Sequence, residues 1–164
     1  MAEKSFSLKA AVFLIKFFAI YIVLQSAIVV APIEPLKEGI ASFEAGLLGL
    51  EYEGNSIIFN GHRAEIVANC TGLMSISVLA AIVFSLKRPA FKKKLGLFMA
   101  GAAVLFPVNL FRVYLVLLAA NEFELETFEA IHTTTWFAMS AAILILWYYL
   151  TKRVTKEKEL EKMI

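Results

Sequence analysis

The sequence has very few of the residues from which catalytic and metal sites are usually built. Its 164 residues include one cysteine, two histidines and no aspartate, so all 14 acidic residues are glutamate. A single cysteine excludes an internal disulfide framework, a CxxC redox pair and a zinc site built on cysteines, and two histidines alone make a poor metal site. We therefore expect no metal and no cofactor, and any chemistry of Cys70 is that of a single thiol.

Apolar residues are abundant and indicate a membrane protein. Hydrophobic residues make up 60% of the chain and the mean hydropathy is +0.74, whereas soluble domains are about half apolar. Four apolar runs predict transmembrane helices, at residues 8–33, 70–86, 95–120 and 130–150. The first run is too long for the core of a signal peptide and is interrupted by Lys16, so we expect a retained helix.

The segment 34–69 is expected to fold outside the bilayer. Its part IASFEAGLLGL is amphipathic, which is typical of a helix on a membrane surface. Asn60-Gly61 lies between two short apolar runs and predicts a tight β-hairpin over residues 56–67. The predicted fold class is an all-α polytopic membrane protein. It is a single domain of residues 1–164, with a bundle of about four transmembrane helices, a small extracytoplasmic β-hairpin and an amphipathic segment.

The uneven distribution of basic residues predicts the orientation of the chain. The loop 87–94 and the tail 151–164 each hold five Lys or Arg residues, whereas the loop 34–69 and the turn 121–129 hold two between them. Short cytoplasmic loops carry an excess of Lys and Arg. We therefore expect both termini and the loop 87–94 in the cytoplasm, and the loop 34–69 and the turn 121–129 outside.

This orientation brings three unusual polar residues to one depth near the outer face. Cys70 and His132 open the second and fourth spans at their outer ends. Arg112 lies about 17 residues up the third span, ~25 Å along a hydrocarbon core of ~30 Å. An arginine within a membrane usually faces the helix bundle or a polar cavity, where it either belongs to a site or pairs with Glu65 or a glutamate of the turn 121–129.

A thiol, a histidine and an arginine at one depth favour acyl transfer. A thiol is a nucleophile only as the thiolate, and a helix N-terminus, where we place Cys70, favours an anion. His132 is suited to take and return the proton, and Arg112 to stabilise the thiolate or the oxyanion of a tetrahedral intermediate. Each residue also has a structural reading, since a lone cysteine at a helix end is usually a small apolar side chain.

These residues lie in motifs that resemble those of the exosortase/archaeosortase family. The run EIVANCTGLMS resembles the family's cysteine motif, NLFR resembles its Asn-x-x-Arg motif, and His132 matches the position of its histidine. The resemblance covers about residues 50–145. It implies a membrane-embedded cysteine transpeptidase with Cys70 as nucleophile, Arg112 as positive charge and His132 as acid and base. The residues expected to support this site are Asn69, Thr71 and Asn109.

The resemblance also implies partners and a location. The substrates would be secreted proteins that end in a short motif, a transmembrane helix and a basic tail. The new carboxyl would pass to a surface acceptor, for which a membrane lipid is one candidate, and no nucleic acid is involved. The site would face outward from a prokaryotic cell membrane. The chain departs from the family pattern at four positions, which bear on the substrate motif and the acceptor: Asn69 (usually Ala), Thr71 (usually Ser), Met74 (often Arg) and Trp136 (often Gly).

Two other functions stay open at the level of the sequence. One is a non-enzymatic membrane subunit, in which Arg112 pairs with an acid of a partner and Cys70 is structural. The other is a small transporter that binds an anion through Arg112. A transporter would need polar residues along several spans at mid-depth, and the spans offer little beyond Asn109, Thr133–Thr135 and a few serines.

Overall fold

In the computed structural model, the described backbone covers residues 2–123 and 125–155, and the described side chains cover residues 8–123 and 130–155. This part of the chain is mostly helical. Its helices are α1 (Ala2–Val30), α2 (Glu34–Leu48), α3 (Leu73–Ser85), α4 (Phe91–Glu122) and α5 (Leu125–Thr155). Its strands are β1 (Glu51–Glu53), β2 (Ser56–Phe59) and β3 (His62–Glu65), which form one antiparallel sheet in the order β1-β2-β3.

Three of these helices are long and apolar enough to cross a membrane. The candidate spans are Leu8–Val30, Phe91–Glu122 and Ala130–Thr155. They support a multi-pass membrane protein and agree with three of the predicted spans. The predicted span 70–86 is not confirmed, because α3 has only 13 residues and is about 20 Å long, shorter than a hydrocarbon core of ~30 Å.

The loops between the long helices are shorter than the sequence predicted. Helix α4 begins at Phe91, so part of the predicted loop 87–94 is its first turn. The predicted turn 121–129 is largely helical, since α4 continues to Glu122 and α5 begins at Leu125. Lysine and glutamate are good helix formers, so a helix extends past its apolar stretch, and the apolar stretch alone underestimates its length.

The C-terminal ends of α1 and α5 also differ from the prediction. Helix α1 ends at Val30, ahead of the predicted bound at residue 33. Helix α5 runs to Thr155, into the predicted tail 151–164. Residues 156–164 lie outside the described part of the chain.

The predicted β-hairpin is confirmed. Asn60 and Gly61 have φ angles of 48° and 76°, and two successive positive φ angles are what a type I′ turn requires. The strands that this turn joins are β2 and β3, and a further strand, β1, pairs with β2. The sequence did not reveal β1, because a strand of three residues is too short to show an alternating pattern.

Apolar side chains form two clusters that hold the site between them. The first joins α2, the sheet and the later half of α4, and its buried residues are Ile40, Ala41, Ala45, Ile57, Ile66, Val113 and Leu117. The second joins α3, α4 and α5, with two phenylalanines of α1 against it. Helix α3 contacts α1, α4 and α5, and Cys70 packs against the first cluster just before α3 begins.

Candidate functional site

Cys70 ends a single 3₁₀ turn that leads into α3. The turn spans Ala68–Cys70, and the Cys70 N–H donates to the Val67 carbonyl at 2.8 Å. Helix α3 begins only at Leu73. The prediction that Cys70 opens the helix is therefore wrong by three residues. Its backbone N–H is already used within the turn, and the thiol, which is half-buried, is a free cysteine.

Two residues between Cys70 and α3 fix the shape of this turn. Thr71 is fully buried; its hydroxyl donates to the Ala68 carbonyl at 2.7 Å and accepts from the Leu73 N–H at 3.3 Å. Gly72 has a φ of 79°, and a Cβ added there would lie 3.2 Å from Asn109. A left-handed residue in such close contact with a neighbouring helix favours glycine. The turn is thereby held against α4.

Asn109 makes the direct link between α4 and the cysteine turn. Its side chain is 2% exposed, and its amide Nδ2 donates to the Cys70 carbonyl oxygen at 2.7 Å. The sequence predicted Asn109 as a supporting residue but gave it no partner. The structure assigns its hydrogen bond to the backbone of the cysteine turn.

Arg112 lies about one helical turn beyond Asn109 and is 6% exposed. Its guanidinium lies close enough to the Cys70 side chain for the two groups to interact electrostatically, and its Cζ lies 4.9 Å from the ring centre of Trp136. The Nε–H of Arg112 has no hydrogen-bond partner among the described residues. A buried guanidinium that contacts a thiol and an aromatic face, with one donor unused, is arranged to hold a negative charge.

The predicted structural partners of Arg112 are not found where the chain is described. The ion pairs in that part are Glu34–Lys37 and Glu53–Arg63. Glu65 is exposed and accepts instead from the Asn55 amide at 3.0 Å. The glutamate side chains at positions 124–129 of the predicted turn lie outside the described residues. The alternative in which Arg112 pairs with Glu65 is therefore not found, because Glu65 on β3 is exposed to solvent.

His132 lies on α5 and approaches Arg112 from the other side of the site. It is partly buried, and its imidazole is close enough to Arg112 for their charges to interact. Its carbonyl accepts from the Thr135 hydroxyl at 2.8 Å. Trp136 follows four residues later and therefore lies on the same face of α5. Helix α5 thus presents an imidazole and an indole to the same guanidinium.

The structure brings Cys70, Asn109, Arg112 and His132 together and leaves Asn69 and His62 at the surface. Asn69 is exposed, although Thr71 on the other side of Cys70 is buried. His62 is exposed on β3, beside the Phe59 ring. A residue that the sequence did not assign to the site is Trp136. Its spacing of four from His132 was the available signal, since an i, i+4 pair shares a helix face.

A cavity of about 210 Å³ opens beside Arg112 between α4 and α5. Its wall is almost entirely apolar and is formed by Val108, Phe111, Arg112, Leu115, Thr135, Ala138, Met139 and Ala142. The guanidinium therefore borders both the thiol and an apolar space. Such a space suits an apolar side chain of a ligand better than a hydrated ion.

Comparison with known proteins gives one result for almost the whole chain. A family model described as transmembrane exosortase (EpsH) matches residues 5–148. The matched range includes all the site residues named above. No curated protein matches this chain, and no solved structure matches it.

Proposed function

This chain belongs to the transmembrane exosortase family, and we propose that it is a membrane-embedded cysteine transpeptidase in which Cys70 is the nucleophile. Family membership supports an exosortase-type role in the membrane. The finer proposal rests on one observation, the closeness of the buried Arg112 guanidinium to the Cys70 side chain, with which it interacts electrostatically. A permanent cation beside a thiol favours the thiolate, which is the reactive form.

In the proposed reaction, His132 accepts the thiol proton and the Cys70 sulfur attacks the carbonyl carbon of a peptide bond. Collapse of the tetrahedral intermediate breaks the C–N bond and leaves a thioester on Cys70. His132 returns the proton to the departing amine. An acceptor nucleophile then attacks the thioester, gives its proton to His132 and regenerates the thiol. The cycle balances without an oxidant or a reductant.

Arg112 has two roles in this proposal. It stabilises the thiolate before attack and the oxyanion after it. The second role is supported by its Nε–H, which is buried without a hydrogen-bond partner among the described residues. A donor already fixed and dehydrated stabilises a developing charge more than a hydrated one does. Trp136 stacks on the guanidinium and helps to fix its plane.

Asn109 and Thr71 are positioning residues in this proposal. Asn109 holds the Cys70 carbonyl, and Thr71 ties the ends of the turn together. Asn69, which is exposed, is proposed to lie at the entrance to the site. None of these side chains needs to exchange a proton with the substrate.

The proposed substrates are secreted proteins with a C-terminal motif, a transmembrane helix and a basic tail, which are cut on the outer side of the cell membrane. The surface acceptor that receives the new carboxyl is proposed to be a membrane lipid. Both proposals follow from the resemblance of the motifs. The apolar cavity beside Arg112 supports them, because it offers space for an apolar side chain next to the scissile bond.

A substrate-free test uses the fact that the chain has one cysteine. Alkylation of purified protein by iodoacetamide at pH 7 reports on Cys70 alone. We expect Arg112→Gln to slow alkylation about tenfold, since the cation beside the thiol is lost. Arg63→Gln, which removes an exposed arginine, serves as the control and should not slow it. Equal rates in all three proteins would favour the non-enzymatic subunit.

A second test traps the acyl-enzyme. Reporter proteins that carry the proposed C-terminal signal are co-expressed with wild-type and His132→Ala protein, and Cys70 is examined by mass spectrometry. We expect a hydroxylamine-sensitive thioester on Cys70, more abundant in His132→Ala than in wild type if acyl release is the slower step. Absence of any adduct while the reporters are still processed would overturn the assignment of Cys70.

A further inference from the structure

A second polar feature lies outside the cysteine site. Glu44 on α2 is 0% exposed, and neither of its carboxylate oxygens has a hydrogen-bond partner among the described residues. It lies on the same face of α2 as three apolar residues, Ile40, Ala41 and Ala45. Glutamate is almost never fully buried unless it is paired. The missing partner is the observation that calls for a ligand.

Glu44 lines a pocket of about 410 Å³ between α2 and α4, which we call the Glu44 pocket. Its lining residues are Phe43, Glu44, Leu47, Pro107, Leu110, Phe111 and Tyr114. This volume lies within the range of small-molecule sites, roughly 300–1,000 Å³. The pocket therefore has the size of a binding site, and it contains one carboxylate in a mostly apolar wall.

The aromatic residues of the pocket specify the kind of group that would pair with Glu44. Three of the lining side chains are aromatic, and the rings of Phe111 and Tyr114 are stacked at 6.5 Å. Aromatic faces attract cations, and aromatic cages are a known way to bind organic ammonium groups. A carboxylate combined with aromatic faces selects an ammonium over an anion or a neutral polar group.

The rim of the pocket specifies what the ammonium is attached to. Phe43, Leu47 and Phe111 are each more than half exposed, Phe111 by 61%. Exposed apolar patches of this kind mark contact with membranes or partners, and α4 is one of the helices long enough to span a bilayer. A ligand that reaches Glu44 across this rim has an apolar chain beside its charged group.

The Glu44 pocket is separate from the cysteine site. Residues two apart on an α-helix point about 200° away from each other, so Leu110 lies opposite Arg112 and Phe111 lies opposite Asn109. The two features share one level of α4, and Phe111 lies between them, since it borders both the Glu44 pocket and the cavity beside Arg112. A ligand in the Glu44 pocket would not contact Cys70 through this face.

We infer that the Glu44 pocket binds an amphiphile of the bilayer whose head carries an ammonium group, held by the Glu44 carboxylate and the faces of Phe43, Phe111 and Tyr114. The ionised carboxylate pairs with the ammonium, and the apolar chain lies along the rim. Burial raises the pKa of Glu44 to about 7. A cation in the pocket would oppose this shift and favour the ionised carboxylate. This inference does not depend on the proposed peptidase activity.

The test uses photolabelling of the whole purified chain in maltoside micelles with a dodecyltrimethylammonium probe that carries a diazirine near its head. Mass spectrometry locates the labelled residues. We expect labelling to concentrate at the Glu44 pocket and to fall at least tenfold in Glu44→Gln, which keeps the shape of the side chain and removes its charge. The matched control is Glu38→Gln on the exposed face of the same helix, which should label like the wild type.

Competition separates specific binding from partition into the detergent layer. Unlabelled dodecyltrimethylammonium should displace the probe, whereas dodecanol, with the same chain and no charge, should not. Equal displacement by both, or equal labelling of Glu44→Gln and wild type, would overturn the inference. If Glu44→Gln does not fold, Phe111→Leu replaces it. Phe111→Leu removes one aromatic face from the exposed rim, and we expect it to weaken labelling severalfold; unchanged labelling would again count against the inference.

The natural source of the ammonium is then tested in nanodiscs. Discs of phosphatidylglycerol with added phosphatidylethanolamine should protect the pocket from the probe if the ligand is a lipid headgroup. Protection only by single-chain amines added from solution would identify a soluble amphiphile instead. Protection by neither would overturn the assignment of the pocket to an amphiphilic ammonium.

Discussion

The Asn109 side-chain amide donates a 2.7 Å hydrogen bond to the backbone carbonyl of Cys70. This bond ties the turn that carries the thiol to the helix that carries Arg112. Because Arg112 follows Asn109 by one turn of α4, the two side chains approach the same cysteine, Asn109 at its backbone and Arg112 at its side chain. The relative position of thiol and guanidinium therefore depends on Asn109.

Asn109→Asp should weaken both the fold and the site. The substitution keeps the shape of the side chain but replaces the donor with an acceptor that faces a carbonyl oxygen. We expect a loss of about 1–3 kcal/mol in the free energy of unfolding and slower alkylation of Cys70 at pH 7. Denaturation in detergent and iodoacetamide kinetics measure the two effects. Asn121→Asp, near the end of α4, is the control, and an equal effect of both variants would contradict the role of Asn109.

Processing of a cognate substrate in cells should depend on the three proposed catalytic residues. We expect Cys70→Ala to abolish it, since a nearby hydroxyl would need a base for activation, and His132→Ala to slow it about 10²–10⁴-fold. Arg112→Lys should also fail, because an ammonium cannot reproduce a planar guanidinium. A mobility shift of the substrate is the measurement, with the abundance of each variant checked in parallel.

Two substitutions away from the site serve as controls for that experiment. Lys92→Ala changes the first turn of α4, and His62→Ala changes an exposed residue of β3. Neither side chain is among the contacts of Cys70 or Arg112 described above, so we expect both variants to process substrate almost as the wild type does. Full processing by Cys70→Ala at normal abundance would end the peptidase proposal and favour the subunit without catalysis.

Trp136 should govern the orientation of Arg112. Trp136→Leu removes the aromatic face that lies 4.9 Å from the guanidinium carbon, a contact worth about 0.5–2 kcal/mol. We expect slower alkylation of Cys70, with Trp136→Phe recovering part of the rate because it restores an aromatic ring. Phe137→Leu, at an exposed neighbouring position, should have no effect. A loss of rate in Phe137→Leu as large as in Trp136→Leu would contradict the stacking role.

The predicted orientation of the bundle is testable by cysteine accessibility. Lys16 of α1 lies close enough to Lys94 of α4 for their charges to repel, so one end of the bundle concentrates positive charge, as cytoplasmic ends do. In a Cys70→Ser background, we expect Lys92→Cys to resist a membrane-impermeant maleimide in intact cells and Glu51→Cys to react with it. The reverse pattern would invert the topology and move the cysteine site to the cytoplasmic side.

Stability should fall with increasing pH because of Glu44. Burial raises the pKa of its carboxyl in the folded protein to about 7, above a reference value of 4.5. The folded state therefore holds this proton more tightly than the unfolded state does. Its contribution is fully present below about pH 4.5, is lost as the pH rises to about 7, and is constant above that. The total effect is about 3 kcal/mol.

The measurement for Glu44 is the unfolding free energy in detergent across this pH range. Among the residues that line the Glu44 pocket, only Glu44 and Tyr114 have titratable side chains. Glu44→Gln should remove most of the slope, and Glu38→Gln, at an exposed position, should retain it. The same slope in Glu44→Gln and wild type would show that another group is responsible.

Local features were the part of the fold that the sequence predicted best. Asn60-Gly61 predicted its turn, because the required φ angles are a property of those two residues. The start of α3 was misplaced, because the apolar run begins at Cys70 whereas the helix begins after Gly72, whose positive φ ends the preceding turn. A glycine between a polar cluster and an apolar run was the signal that would have placed this boundary.

The sequence indicated which residues lie close together better than it indicated which contacts they make. Depth in the membrane, deduced from the loop charges, was enough to group Cys70, Arg112 and His132. The stacking of Trp136 on Arg112 depends on how α4 and α5 pack, which no local pattern encodes. Glu44 belongs to the segment 34–69 that was predicted to lie outside the bilayer, yet α2 turns it toward α4. Only tertiary packing decides which glutamate of an amphipathic helix is buried.

The shortness of α3 has a consequence for how a protein chain reaches the thiol. Its 13 residues rise about 10 Å less than the hydrocarbon core is thick, so with Ser85 near one membrane surface the cysteine turn is recessed below the other. A strand of about three extended residues covers that depth. Under the proposed function, the bond to be cut would then lie within a few residues of the substrate's own membrane anchor. Under the same proposal, distance from the lipid surface would select the cut, so that length would matter as well as sequence.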